Sequence, residues 1–449
     1  MLSIQRKEDD ETVKGLHYGW IICLAGALTI FITMGTVSNG FAVYLPYILR
    51  DYGLTNAQTS SLVMLRCLVA FFSMVMIRFF YDRVSLRIGI FLSAVFAGSA
   101  FLLYSLAGGY GLFCVGAAVS GLAYGLGSMI PISILMGNWF YRRRALSLSI
   151  SGAGSGIATI FLPLVTTRLV EFSSLRTAFV IEGAAIWGIA LILALLIRDH
   201  PSDKGLEPYG RGPAEAEKAD AGKIHSGRGM SAGMWAAMCV ACLIMGGLAN
   251  PGFSHLTVLF SSEGISSMHI AMVISVIGVM IVGGKLLYGE VTDRIGGLFS
   301  SILFGSVLLA GHVLCCLVFT GSEAVCLAGA VALGLGYALC TIGPSVWAGD
   351  LERPERYGAA VRRFQVMYAG GALCFSAFPG ILADLTGSYI PSYILFSVFN
   401  GVSLLIVVWA YLTSHRKARE ESRWKRTEVP EEKSSVNRGN SLEKPADSN

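Results

Sequence analysis

GKLLYGEVTDRIGG, Gly284 to Gly297, sets a lysine inside an apolar run and ends the run on a glycine, two acids and an arginine. The first half of the chain carries a counterpart, RFFYDRVSLR, Arg78 to Arg87. Asp82-Arg83 stands 29 residues after Gly53, and Asp293-Arg294 stands 29 residues after Gly264. A second pair of stretches agrees independently. In GLAYGLGSMIP, Gly121 lies ten residues before Pro131; in GLGYALCTIGP, Gly334 lies ten residues before Pro344, with Tyr124 and Tyr337 at one offset. Two shared spacings are the trace of an internal repeat, so the chain reads as two equivalent halves.

The halves are built for lipid. Of 449 residues, 54% are hydrophobic and 14% charged, and the mean hydropathy is +0.63, outside the range of soluble domains. Apolar runs of the length that crosses a bilayer as helix recur between short polar breaks. Twelve are expected, near 18–45, 57–80, 87–106, 110–136, 145–170, 175–197, 233–259, 267–289, 297–319, 323–347, 358–384 and 391–412. The alternating pattern of a membrane barrel is absent, and only helices or closed barrels satisfy every backbone group in lipid. The fold class is therefore an all-α membrane protein, twelve transmembrane helices in two pseudo-symmetric six-helix bundles.

The polar breaks set the organisation. A short segment, 1–17, precedes the first bundle, 18–197; a linker rich in charge, Gly and Pro, 198–232, separates it from the second bundle, 233–413; a polar tail fills 414–449. The acidic EDDE before the first span and the span's length predict that it is retained in the mature chain. Arg83, Arg87, Arg142, Arg143, Arg144, Arg294, Arg353 and Arg356 crowd the loops on the side of the termini, whereas Arg50, Arg168 and Arg176 alone mark the other side. That bias places both termini in the cytoplasm and accounts for the basic clusters without nucleic acid. The ten cysteines are mostly scattered through apolar spans, and the single C-x-x-C, Cys239 and Cys242, lacks neighbouring ligands, so neither metal nor other cofactor is expected.

On these residues the chain resembles the major facilitator superfamily over nearly its whole length. Gly289-x-x-x-Asp293-Arg294-x-Gly296 is close to that family's loop motif, while the first copy departs at Arg78 and Ser85. HYGW before span one, NWFYRRRALSLSISGAGSG between spans four and five, and PGILADLTGSY after span eleven resemble the oxalate/formate antiporter and monocarboxylate transporter group. The resemblance implies alternating access, a bacterial inner membrane, and gating by Asp82, Arg83, Asp293 and Arg294 through acid–base pairs that hold one access state. It also implies that a cation at Lys285 binds substrate. The lysine that oxalate-binding members carry in span eleven falls on Gly371 here, which points to a monocarboxylate, or to another acid that uses Arg66 instead.

The remaining polar positions follow from their depth. Lys285 lies eight residues before Asp293, about 12 Å from the end of span eight; its alternatives are a snorkelling ammonium and a cavity cation. Arg66, in the middle of span two, costs about 2.5 to 3.5 kcal/mol to bury and must find a partner, which is either Glu182 in span six or a substrate anion. Tyr124 and Tyr337 either pack the core or line the cavity. Asn39-Gly40 and Asn250-Pro251-Gly252 weaken spans one and seven at corresponding places, making Asn39 and Asn250 substrate-binding candidates. Glu182 and His255 are the candidates for proton coupling.

The expected function is secondary transport of a small organic anion, proton-coupled or by exchange with a counter-substrate, by a monomer in the lipid bilayer. The alternative is efflux of an apolar compound, with Lys285 merely reaching the interface. Walker A, H-E-x-x-H and G-x-S-x-G sequences are absent, which argues against ATP drive and common enzymes.

Overall fold

The computed structural model describes residues 17–210, 229–376 and 378–427. Twelve helices in it are long and apolar enough to cross a membrane. We label them in chain order. α1 is Tyr18–Ile30, a π-helical segment Phe31–Gly40, and Phe41–Tyr52. α2 is Asn56–Tyr81, α3 Leu86–Leu106, α4 Tyr110–Leu126 with Met129–Trp139, α5 Arg144–Phe172 and α6 Leu175–Leu196. α7 is Ala232–Ser254 with Leu256–Ser262, α8 Ser267–Ile295, α9 Gly297–Cys316 and α10 Glu323–Leu351. α11 is Tyr357–Cys374 with Phe378–Thr386, and α12 is Ile390–Thr427. The last helix runs well into the segment expected as tail.

Several helix starts are written locally. Thr55 caps α2 in a capping box with Gln58, and Ser85, Ser174 and Ser266 cap α3, α6 and α8 through their hydroxyls. α4, α9, α10 and α11 start without a side-chain cap, and so does α5. Its N-cap is Arg143, in the left-handed region at φ 57° and without a side-chain cap, so the first N–H groups of α5 must be satisfied from elsewhere. The two expected weak spots both deform their helices. α1 takes its π segment up to Gly40, and α7 breaks at His255, a few residues beyond Pro251.

The repeat is visible in the packing. A Cβ on Gly121 of α4 would lie 2.6 Å from the Arg66 carbonyl and 2.8 Å from Val69 Cβ of α2; one on Gly334 of α10 would lie 3.0 Å from the Ile277 carbonyl and 2.5 Å from Met280 Cβ of α8. Both glycines let backbones approach, the device by which helices associate without a hydrophobic drive. Large apolar side chains such as Phe79, Leu164, Leu195 and Leu405 face outward, as lipid contact requires.

Residues 198–210, expected to be linker, pack on the first half instead. Tyr209 donates its N–H to the Trp139 carbonyl at 2.8 Å and accepts from Tyr141 N at 3.0 Å, while Trp139 Nε1 donates to the Arg198 carbonyl at 2.8 Å. Tyr18 donates to the Leu196 carbonyl at 2.7 Å, and the Tyr209 ring stacks edgewise on His17 and Trp20. The HYGW and NWFY stretches thus meet around this strap.

The halves meet along α5 and α8, which run antiparallel in tight register. Gly289 faces Ser149 and Leu146, Lys285 faces Gly152, Gly156 faces Val282, and Gly278 faces Ile160. Contacts between α4, α5, α10 and α11 join the halves at the end where α4 gives way to α5. Ser133 and Ser345 share a hydrogen bond of 2.8 Å, Tyr357 donates to the Ser133 carbonyl at 3.1 Å, and the Arg144 guanidinium lies 3.6 Å above the Tyr357 ring.

Candidate functional site

Lys285 does not snorkel. Only 2% of it is exposed, and its ammonium crosses the seam between the halves, donating to the Gly152 carbonyl at 2.9 Å and to Ser155 Oγ at 2.8 Å. It also lies 5.9 Å from the centre of the Tyr337 ring. The stem runs alongside the bare backbone of Gly152, where a Cβ would lie 3.9 Å from Lys285 Cδ, while Gly154 turns toward Ala27 of α1.

Arg66 and Glu182 take separate partners, so the expected pair does not form. Arg66, 7% exposed, donates from one terminal nitrogen to the Val37 carbonyl at 3.0 Å and the Ser38 carbonyl at 3.2 Å, inside the π segment of α1. A change of hydrogen-bond register frees carbonyls for side-chain donors, which a fixed guanidinium fork suits. Glu182 accepts from Thr166 Oγ1 at 2.6 Å, with Tyr44 beside both. Among the described residues neither Arg66 nor Lys285 forms an ion pair.

Between the two cations stands a row of half-buried tyrosines. Tyr124 of α4 lies near Arg66, Tyr337 of α10 lies near Tyr124 across the halves, and Tyr368 of α11 lies within hydrogen-bond reach of Tyr337. The repeat spacing singles out Tyr124 and Tyr337; Tyr368, three residues before Gly371 in VMYAGGAL, is not among the expected site residues. Ser155 and Gly152 were likewise missed, although SGAGSG is a visible run of small residues.

The other expected site residues are dispersed. Asn39 donates to Thr159 Oγ1 at 2.8 Å and ties α1 to α5, on an exposed flank. The side chain of Asn250 lies outside the described residues. His255 sits at the break in α7 with Nε2 3.2 Å from the Ser376 carbonyl, in the other half from Glu182. Gly371, the place of the family's second cation, admits no side chain: a Cβ would lie 1.8 Å from the Leu243 carbonyl.

The loop motifs do not form the expected acid–base pairs across the halves. Asp82 pairs with Arg78 at 3.3 Å, Arg83 donates to the Phe79 carbonyl at 3.0 Å, and Arg294 pairs with Glu290. Each has turned to its own helix because a partner one turn away is always in reach. Of these four motif residues among those described, only Asp293 bridges the halves, and its partners are backbone: it accepts from Ala145 N at 3.1 Å and Leu146 N at 2.8 Å. The acid supplies from α8 the cap that Arg143 withholds from α5, where the positive end of the helix dipole favours it.

A metal site is not formed among the described residues. Comparison with known proteins adds the following. The family model described as Major Facilitator Superfamily matches residues 26–311 and 264–442. Monocarboxylate transporter 12 of Rattus norvegicus is 25% identical over 442 residues, covering 92% of this chain and 88% of the relative. The protein named agnestins efflux protein AgnL12, of Paecilomyces divaricatus, is 24% identical over 62% of this chain and 59% of its own length. Among solved structures, the proton:xylose symporter XylE superposes with a TM-score of 0.71 at 14% identity, covering 86% of this chain and 94% of that one. The fucose transporter FucP in its outward conformation gives 0.64 at 15% identity, with 88% and 99% covered. With twelve spans, two repeated bundles and a seam at α5 and α8, this chain belongs to the Major Facilitator Superfamily and is a membrane transporter.

Proposed function

We propose that the protein moves a small organic anion, a monocarboxylate, by alternating access. The observation that carries this reading is the pair of buried cations, Arg66 in one half and Lys285 in the other, held by backbone carbonyls and a hydroxyl instead of by acids. A buried cation without a counter-charge is strongly favoured to take one, and a carboxylate brings it. The tyrosines between the cations offer hydroxyls for the second carboxylate oxygen and rings for a short apolar body. Gly371 leaves no room for a further cation, which supports one carboxylate over two. The monocarboxylate transporter relative supports the same class.

Proton coupling belongs to the proposal through Glu182, a buried acid held by one hydroxyl; His255, at the outer break of α7, is the second candidate. The test is flux into proteoliposomes of a panel of monocarboxylates, dicarboxylates and the uncharged amides of the same acids. Monocarboxylates should move and the amides should not, and Lys285→Gln should lower uptake by about 10- to 100-fold, the worth of one charged hydrogen bond. Equal transport of amides with an unaffected Lys285→Gln protein would instead support efflux of an apolar compound, the reading that the efflux relative favours. Uptake that ignores a proton ionophore would leave exchange as the mode.

A further inference from the structure

Lys285 is the only described side chain of α8 that makes a charged hydrogen bond to a side chain of α5, and it does so from inside the seam. The same ammonium is the group to which a substrate carboxylate would be drawn. An ammonium has three donors, and here two are spent on Gly152 O and Ser155 Oγ of the other half. The neighbouring contacts of the seam, Gly156 on Val282 and Gly289 on Ser149, are apolar or steric and carry no such alternative partner. One residue can therefore exchange a partner in the opposite half for an arriving anion.

We infer that Ser155 is a positioning residue for transport: it holds the Lys285 ammonium across the seam, and an arriving anion that draws the ammonium toward itself competes with that bond, so binding loosens α5 from α8. This rests on the reading that Lys285 binds an anion. Ser155 never touches the substrate in this scheme. It acts by competing for the cation, and it lowers affinity in return for coupling occupancy to movement of the halves. Gly152 contributes in the same way through a carbonyl that any residue would supply, so the hydroxyl is the part of the device that mutation can remove.

The test uses the full-length protein in nanodiscs with a transported monocarboxylate from the flux panel as probe. Ser155→Ala should bind it about threefold to tenfold more tightly, as expected when one competing hydrogen bond is lost. Hydrogen exchange of the peptide spanning residues 145–160 should rise on substrate addition in the natural protein, and should already be raised without substrate in Ser155→Ala. Ser155→Thr, which keeps a hydroxyl, should restore natural affinity and exchange. Unchanged or weaker binding in Ser155→Ala overturns the inference, weaker binding marking Ser155 as a direct substrate ligand. Loss of the anion reading itself is seen separately, as a Lys285→Gln protein that binds the probe normally.

Discussion

Arg66 shows how a buried charge is managed without an ion pair among the described residues. Its guanidinium sits on two carbonyls of the π segment, so it stabilises an irregular stretch of α1 and remains a cation for an incoming anion. Replacing Arg66 by Gln removes both. Two partly freed carbonyls would then lie in a water-poor interior, destabilising the protein by about 1 to 3 kcal/mol. We expect a lower midpoint of thermal unfolding in detergent together with weakened monocarboxylate binding. Arg66→Lys should recover part of the stability and less of the binding, because a point ammonium cannot reproduce the fork. Unaltered binding in a folded Arg66→Gln protein would leave the residue a purely structural clamp. The sequence showed that Arg66 needed a partner; it could not show that the partner was backbone, since a π segment has no local signature in FITMGTVSNG.

At the scale of elements, close helix crossings decide which positions can carry chemistry. α7 and α11 cross with Gly246 1.8 Å, as a built Cβ, from the Tyr368 carbonyl and Gly371 at the same distance from that of Leu243. Restoring the family's lysine by Gly371→Lys is therefore not a gain of a second cation. The expected outcome is a protein that expresses poorly or melts at markedly lower temperature, with overpacking worth about 1 to 3 kcal/mol or more, and with no dicarboxylate uptake. A folded Gly371→Lys protein that moved a dicarboxylate would show that α7 and α11 can part. The departure at Gly371 was legible in the sequence as a missing charge. Its cause was not, because the crossing is made by two glycines more than a hundred residues apart.

Across the whole molecule, closure of one side depends on a cap lent by one half to the other. Asp293 satisfies the first N–H groups of α5 where Arg143 provides nothing, and Arg144 lies on Tyr357 alongside. Asp293→Ala should shift the equilibrium toward the state open on the side of the termini by about tenfold, the usual worth of a helix cap. Alkylation of a cysteine placed at Ser149, read by mass spectrometry of its peptide, should quicken accordingly, with Asp293→Asn intermediate. Equal rates in the three proteins would remove Asp293 from the gate. The Asp82 copy, turned to Arg78, has no such task in this state, so the repeat of the motif overstated the symmetry of its use. Sequence alone determined the twelve spans, the two halves and the residues whose charge is improbable in lipid, because hydrophobic length, repeat spacing and the energy of burying charge are properties of the chain read in order. Which partners Lys285 and Asp293 take was decided by the tertiary structure, because the groups they meet lie on α5, far away in sequence, and come within about 3 Å only where the halves pack together.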